Sequence, residues 1–251
     1  NFKLGRFQQA IDLGNKLLKK SNKLYESDLS KIVGESHFNL KNYKESLPFL
    51  VAYKGIKDKW TNEDFYQLGY AYYSGKKYDS AIDQFNKIIN QSNFLSQNAF
   101  YHLGDCYLKE EKKIEALSAF KKASEMNFNK KIKEDALLQY AKLGFEIGNP
   151  FESYTNVLIR FLNNYPKNKY SEKIKSLLVL SYTNGGDYDS AIKILKSANP
   201  FKDEVTLQKV LYLKALELYR NGLYIDAQPF LSNSVKLDKN LIVTARSLLL
   251  N

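Results

Sequence analysis

Apolar and polar positions along the chain follow a helical period rather than the alternation of strands. Phe65, Leu68, Gly69 and Tyr72 fall at i, i+3, i+4 and i+7, which is one face of a helix. Phe100, Leu103, Gly104 and Tyr107 repeat that face 35 residues later. The repeat extends into a second apolar pair: Ala81 and Phe85 after the first face, Ala116 and Phe120 after the second. Shorter echoes surround the phrase Lys76-Lys77-Tyr78-Asp79-Ser80-Ala81. They are Gly5-Arg6-Phe7, Lys41-Asn42-Tyr43, Gly148-Asn149-Pro150-Phe151, Gly186-Asp187-Tyr188 and Gly222-Leu223-Tyr224. With Ile114 in the fourth place, the turn positions 7, 43, 78, 114, 151, 188 and 224 are spaced by 36, 35, 36, 37, 37 and 36 residues.

A period of this length predicts helical hairpins, an A helix then a B helix, repeated about seven times. The expected units are approximately 1–22, 23–58, 59–93, 94–128, 129–167, 168–201 and 202–238, with the start of another at 240–251. The first unit supplies a B helix at 7–20. The A and B pairs are then 26–40 with 43–55, 62–74 with 79–91, 95–109 with 112–126, 131–147 with 151–164, 169–184 with 188–198, and 203–221 with 224–236. Gly69 lacks a side chain and Ala81 has a small one, so these positions are expected where the paired helices approach closely. The aromatic at each turn is expected to fill the corner between them.

A large aromatic, then Leu-Gly, Tyr, Ala and Phe at these spacings, resembles the tetratricopeptide repeat, with Phe65 and Phe100 in the family's Trp slot. The resemblance covers nearly the whole chain. It implies an all-α fold, a right-handed superhelical solenoid of stacked antiparallel helix pairs, with the A helices lining a concave groove. The first unit lacks an A helix and the last lacks a B helix, which reads as one solenoid truncated at both ends and belonging to a longer chain or complex. The junction Arg160-Phe161-Leu162-Asn163-Asn164-Tyr165-Pro166-Lys167-Asn168-Lys169-Tyr170 is similar to one in bacterial cell-envelope tetratricopeptide proteins. Those include the outer-membrane β-barrel assembly lipoproteins and the Tol-Pal-associated coordinator. That similarity favours periplasm or cell envelope over cytoplasm.

Composition narrows the function. Twelve Gly and 5 Pro are too few for a β-sandwich of 251 residues, and one Cys excludes an internal disulfide. No run approaches the length of a membrane span. The net charge is +11, yet only Arg6, Arg160, Arg220 and Arg246 among the 38 basic residues are arginine. Lysine is a flexible point charge rather than a reader of phosphates and base edges. The surplus therefore suits a solvated surface and attraction to an acidic partner more than nucleic-acid recognition.

Candidate chemistry is sparse. His102, Asp105 and Cys106 lie at i, i+3 and i+4, but a metal wants a further ligand, and Cys106 reads better as a buried small hydrophobe. No phosphate-binding loop, nucleophile elbow or zincin motif occurs. The sequence therefore predicts no enzyme, no cofactor and no metal. What remains is a stripe on each A helix, rotated by about 100° from the packing face. It comprises Lys31, Glu35 and Phe38; Tyr66, Tyr70 and Tyr73; Tyr101, Asp105 and Leu108; Gln139, Leu143 and Glu146; Ser176, Leu180 and Thr183; and Tyr212, Leu216 and Tyr219. The partner-binding candidates are Phe38, Tyr66, Tyr70, Tyr73, Tyr101, Asp105, Tyr212 and Tyr219. Lys31 followed by Glu35 argues against the subtype that grips a partner's C-terminal carboxylate. The expected function is a non-catalytic scaffold that binds a peptide or protein in its groove. Alternatives are an envelope assembly or secretion accessory acting through its ends or convex face, and a small-ligand, peptidoglycan-associated or nucleic-acid-binding module.

Overall fold

The computed structural model describes residues 2–20, 25–197 and 203–250. Their regular structure is helical. The helices are α1 (Phe7–Leu18), α2 (Glu26–Asn39), α3 (Tyr43–Ala52), α4 (Asn62–Ser74), α5 (Tyr78–Phe85), α6 (Phe94–Lys109) and α7 (Lys113–Glu125). They continue as α8 (Lys130–Ile147), α9 (Tyr154–Asn164), α10 (Ser171–Asn184), α11 (Tyr188–Lys196), α12 (Glu204–Arg220), α13 (Tyr224–Leu237) and α14 (Leu241–Leu250). The one bridge between extended residues among those described is Ile56 with Lys59. The fold class is all-α, a helical repeat.

The chain forms two compact units, Asn1–Ile147 and Gly148–Asn251, divided inside the predicted fifth hairpin. Within the first, each helix from α1 to α8 packs on the next, and the A helices α2, α4, α6 and α8 also touch one another in series. Within the second, the helices from α9 to α14 pack in chain order.

Five of the six turns from an A helix to a B helix are built the same way, the exception being the turn before α9. In these five the residue two before the B helix has a positive φ: Lys41 (64°), Lys76 (59°), Glu111 (58°), Gly186 (78°) and Gly222 (75°). In the second of these turns the Lys76 amide donates to the Tyr73 carbonyl, and the Lys77 amide to the Tyr72 carbonyl, each at 2.9 Å. That crossed pair satisfies carbonyls left over at the helix end. The turn sets the register of the next helix, so Phe7, Tyr43, Tyr78, Tyr188 and Tyr224 are each the first residue of their helix.

Two expected corner residues are corrected. In the fourth unit the left-handed residue is Glu111, so Lys113 is the first residue of α7; Ile114 lies one position further on and is exposed. In the fifth, the Asn149 side-chain oxygen accepts from the amides of Phe151 (3.0 Å) and Glu152 (3.4 Å). A local turn takes those amides, α9 begins only at Tyr154, and Phe151 is left exposed. Helix α4 starts where the repeat predicts, at Asn62. Its cap is Thr61, whose hydroxyl accepts from the Asp64 amide while the Asp64 carboxylate accepts from the Thr61 amide. The C-terminal part of the helix expected over 79–91 tightens into a 3₁₀ turn at Asn86–Ile88.

The close approaches are where the repeat put them. A Cβ on Gly69 would sit 2.9 Å from the Phe85 ring, and one on Gly104 only 2.6 Å from the Phe120 ring. Ala81, Ala116, Ala191 and Ala227 are fully buried across the corresponding crossings. A buried amide ties each of two hairpins to the next helix. Gln97 donates to the carbonyls of Ala123 (3.0 Å) and Met126 (2.9 Å) and accepts from the Asn129 amide. Gln208 does the same at the other end, accepting from the amides of Lys239 and Asn240 and donating to the Thr244 hydroxyl.

Candidate functional site

The helical period places Tyr66, Tyr70 and Tyr73 on one side of α4, and Tyr101 and Asp105 on the same side of α6. Because α2, α4 and α6 touch in series, the side chains of three helices meet. Phe38 lies edge-on to Tyr70 with ring centres 5.7 Å apart, and Tyr43 lies edge-on to Tyr70 at 4.8 Å. Tyr66 and Tyr73 flank Tyr70 at 6.2 and 5.8 Å. His102 sits at the centre of the next group, 5.0 Å from Tyr70, 5.1 Å from Tyr73, 5.6 Å from Tyr101 and 5.8 Å from Phe85. Edge-to-face pairs at these separations add to burial. All the tyrosines of this run are half-buried.

The Tyr73 hydroxyl donates to an Asp105 carboxylate oxygen at 3.3 Å. Burial pushes the Asp105 carboxyl up to about 6; Asp135 on α8 adds to the rise, while Tyr73 and Lys109 oppose it. Burial also raises the Tyr66, Tyr70 and Tyr73 phenols, and it takes the Tyr101 phenol up to about 12, with Asp105 and Asp135 contributing. His102 is drawn down to about 4 by burial, and its Nδ1 is enclosed without a hydrogen-bond partner. Cys106 is fully buried, and burial raises its thiol to about 12. It packs as a hydrophobe. Among the described residues no group of three His, Cys, Asp or Glu side chains could hold a metal ion.

Lys31 belongs to a different arrangement beside this run. Its ammonium lies 2.8 Å from Asp64, 3.8 Å from Glu35 and 3.4 Å from the Tyr53 hydroxyl. Burial alone lowers its pKa, but these partners outweigh burial and raise it. The charge that a carboxylate clamp would need is already neutralised. Asp64 is almost wholly buried, so not every carboxylate of the chain sits on a solvated face.

The structure thus brings together Phe38, Tyr66, Tyr70, Tyr73, Tyr101 and Asp105. Tyr212 and Tyr219 belong to the second compact unit. There Tyr212 packs on the cluster of Ala215, Ala227 and Leu231, and Tyr219 lines a depression of about 210 Å³ with Tyr224, Ile225 and Leu250. The stripe residues Ser176, Leu180 and Thr183 line a separate pocket of about 240 Å³ with Thr206 and Val210. Three participants in the main cluster do not stand out in the sequence. Tyr43 reads there only as a corner residue, His102 only as a candidate metal ligand, and Asp135 lies just before the stripe residues of α8. The repeat holds a signal for Tyr43, since a ring at the start of a B helix lies beside the last turn of the A helix before it. Asp135 is four residues before Gln139 and so continues the stripe of α8 by one turn, but the period of that helix says nothing of its nearness to Asp105.

No helix among the described residues is long and apolar enough to cross a membrane. A family model described as anaphase-promoting complex, cyclosome, subunit 3 matches residues 50–123. No curated protein matches the chain. The C-terminal part of a tetratricopeptide-repeat protein from Cytophaga hutchinsonii is 16% identical and superposes with a TM-score of 0.53, covering 98% of this chain and 96% of that one. A tetratricopeptide protein from Parabacteroides merdae is 16% identical with a TM-score of 0.49, covering 99% and 93%. Another, from Bacteroides fragilis, is 19% identical with a TM-score of 0.45, covering 89% and 97%. The recurring Leu-Gly-x-x-Tyr and Ala-x-x-x-Phe faces and the hairpins they build give the chain the helical-repeat fold seen in the Cytophaga hutchinsonii tetratricopeptide-repeat protein.

Proposed function

We propose that the chain is a non-catalytic scaffold that binds a peptide or protein on the A-helix face of its first compact unit. One observation carries the reading: a connected run of half-buried rings from Phe38 to Tyr101 crosses three successive A helices. Tyrosine offers apolar area and a hydroxyl with few rotatable bonds, the combination enriched where proteins meet. The matching family model is named for a subunit of a multiprotein complex, which agrees with a role in binding proteins.

The test is affinity capture from native extract, comparing the wild type with a Tyr66→Ala, Tyr70→Ala, Tyr101→Ala variant whose helix content and melting are measured alongside. Loss of specific partners from a folded variant is expected. An unchanged set of partners would sink the reading. A second reading, contact through the last helix, draws on Leu241, Ile242, Leu248 and Leu249, all exposed on α14. Leu249→Glu should remove partners under that reading and leave them under the first.

A further inference from the structure

The tyrosine run ends at a place whose charge is opposite to that of the chain. The protein carries +11 overall, and some of its acidic groups have a basic neighbour: Lys31 with Asp64, Lys214 with Asp189, Arg160 with Glu152. Asp105 and Asp135 are not among them. Among the described residues, no lysine or arginine nitrogen lies within 4 Å of either carboxylate. Lys109, one turn along α6, acts on Asp105 through its charge and lowers its pKa. The groups facing Asp105 from the adjoining A helices are the Tyr73 hydroxyl and Asp135. His102, held neutral by burial, brings no charge and has an enclosed Nδ1 without a partner.

Tyr73 donates to that carboxylate, Tyr101 feels its charge, and Tyr70 lies behind Tyr73 in the same run. Tyr70 and Tyr73 are 5.8 Å apart, and Tyr101 is joined to them through His102. Ring faces with a carboxylate at their edge suit an organic cation, which the rings attract within about 6 Å of their centres. A guanidinium matches best, because its plane stacks on rings while its edge pairs with a carboxylate.

We propose that Tyr70, Tyr73, Tyr101 and Asp105, with Asp135 beside them, receive an arginine side chain from a basic segment of the protein partner. The proposal rests on the partner-binding reading of this face and adds the partner's local chemistry. The lysine surplus predicts an acidic partner for the surface as a whole. At contact range the nearest charges decide, since charges further than about 8 Å are screened at physiological salt.

The test uses fluorescently labelled hexa-arginine, hexa-citrulline and hexa-glutamate as probes, with anisotropy measured at physiological salt. Binding of hexa-arginine is expected, together with much weaker binding of the neutral hexa-citrulline. Asp105→Asn should weaken hexa-arginine about tenfold. Asp83→Asn, which removes the same charge from an exposed site on α5, should leave it unchanged. Equal binding of hexa-arginine by wild type and Asp105→Asn overturns the proposal, as does a preference for hexa-glutamate that Tyr101→Ala abolishes. If the triple tyrosine variant loses its captured partners while Asp105→Asn keeps them all, the binding face stands and the arginine pocket falls.

Discussion

Asp105 is the residue whose ionisation the fold works against. It is half-buried, its carboxyl is raised to about 6, and burial is the chief cause. Its neighbours from every packed element agree with that direction or only soften it: Asp135 on α8 raises it, while Tyr73 on α4 and Lys109 on α6 oppose. A carboxylate raised in the folded state favours folding most below its ordinary range, and that contribution disappears as pH climbs through about 6. Asp105→Asn should therefore stabilise the protein at pH 8, by up to about 2 kcal/mol after allowing for solvent at a half-buried site. The gain should shrink towards pH 4, as thermal melts across the range will show. A variant less stable than wild type at pH 8 would contradict this account. Gly104 sets a second residue-scale expectation. Its Cα lies so close to Phe120 that a methyl group would meet three ring carbons at 2.6 to 2.7 Å. Phe120 is fully buried and cannot swing away freely. Gly104→Ala should lose about 1–3 kcal/mol by overpacking, read from denaturant midpoints, and more than Gly69→Ala.

At the scale of elements, the A-to-B turn is the unit that copies itself, and its left-handed residue is more regular than the aromatic that comes after it. That residue is glycine at 186 and 222 but Lys41, Lys76 and Glu111 in the first compact unit. A side chain in the left-handed region is disfavoured by about 1–2 kcal/mol. Glu111→Gly should thus raise stability by up to about 1 kcal/mol, the larger unfolded-state entropy of glycine offsetting part of the relief. Chemical denaturation will test it, and a loss of stability would mean that the Glu111 side chain contributes something its backbone does not reveal. The same turn explains how far the elements are legible in the sequence. Helices α2, α4, α6, α8, α10 and α12 can be anticipated because apolar spacing and small residues mark their packing faces. The corners of the fourth and fifth units cannot, because a large apolar residue is a weaker marker than the backbone turn. In the fourth, Ile114 is near enough to the expected place to mimic a corner residue, while the turn at Glu111 counts from elsewhere. In the fifth, Asn149 captures backbone amides and delays the helix, a competition that apolar periodicity does not encode.

At the scale of the whole molecule, a repeat protein is stabilised by each hairpin and by its interfaces with its neighbours, so most of its energetics is local. This is also why the candidate site is only partly legible in the sequence. The tyrosines of one helix can be ranked from its own periodicity, which singles out Tyr66, Tyr70, Tyr73 and Tyr101. The charge at the end of their run cannot be ranked that way, because it depends on Asp135, one hairpin on from Asp105. Locality makes a prediction that a single globular core would not share. Gly104 lies at the α6–α7 crossing, and α6 touches α4, α5, α7 and α8. Strain introduced by Gly104→Ala should therefore loosen these helices first. The amides of α11 to α13 belong to the second compact unit and draw their protection from Ala191, Leu211, Ala227 and Leu231, all buried there. Hydrogen exchange followed by mass spectrometry should show faster exchange across residues 62–147 of the variant and unchanged exchange across residues 188–237. Equal acceleration in both segments would mean that the chain opens as one cooperative body, and the nearest-neighbour account of its stability would have to be given up.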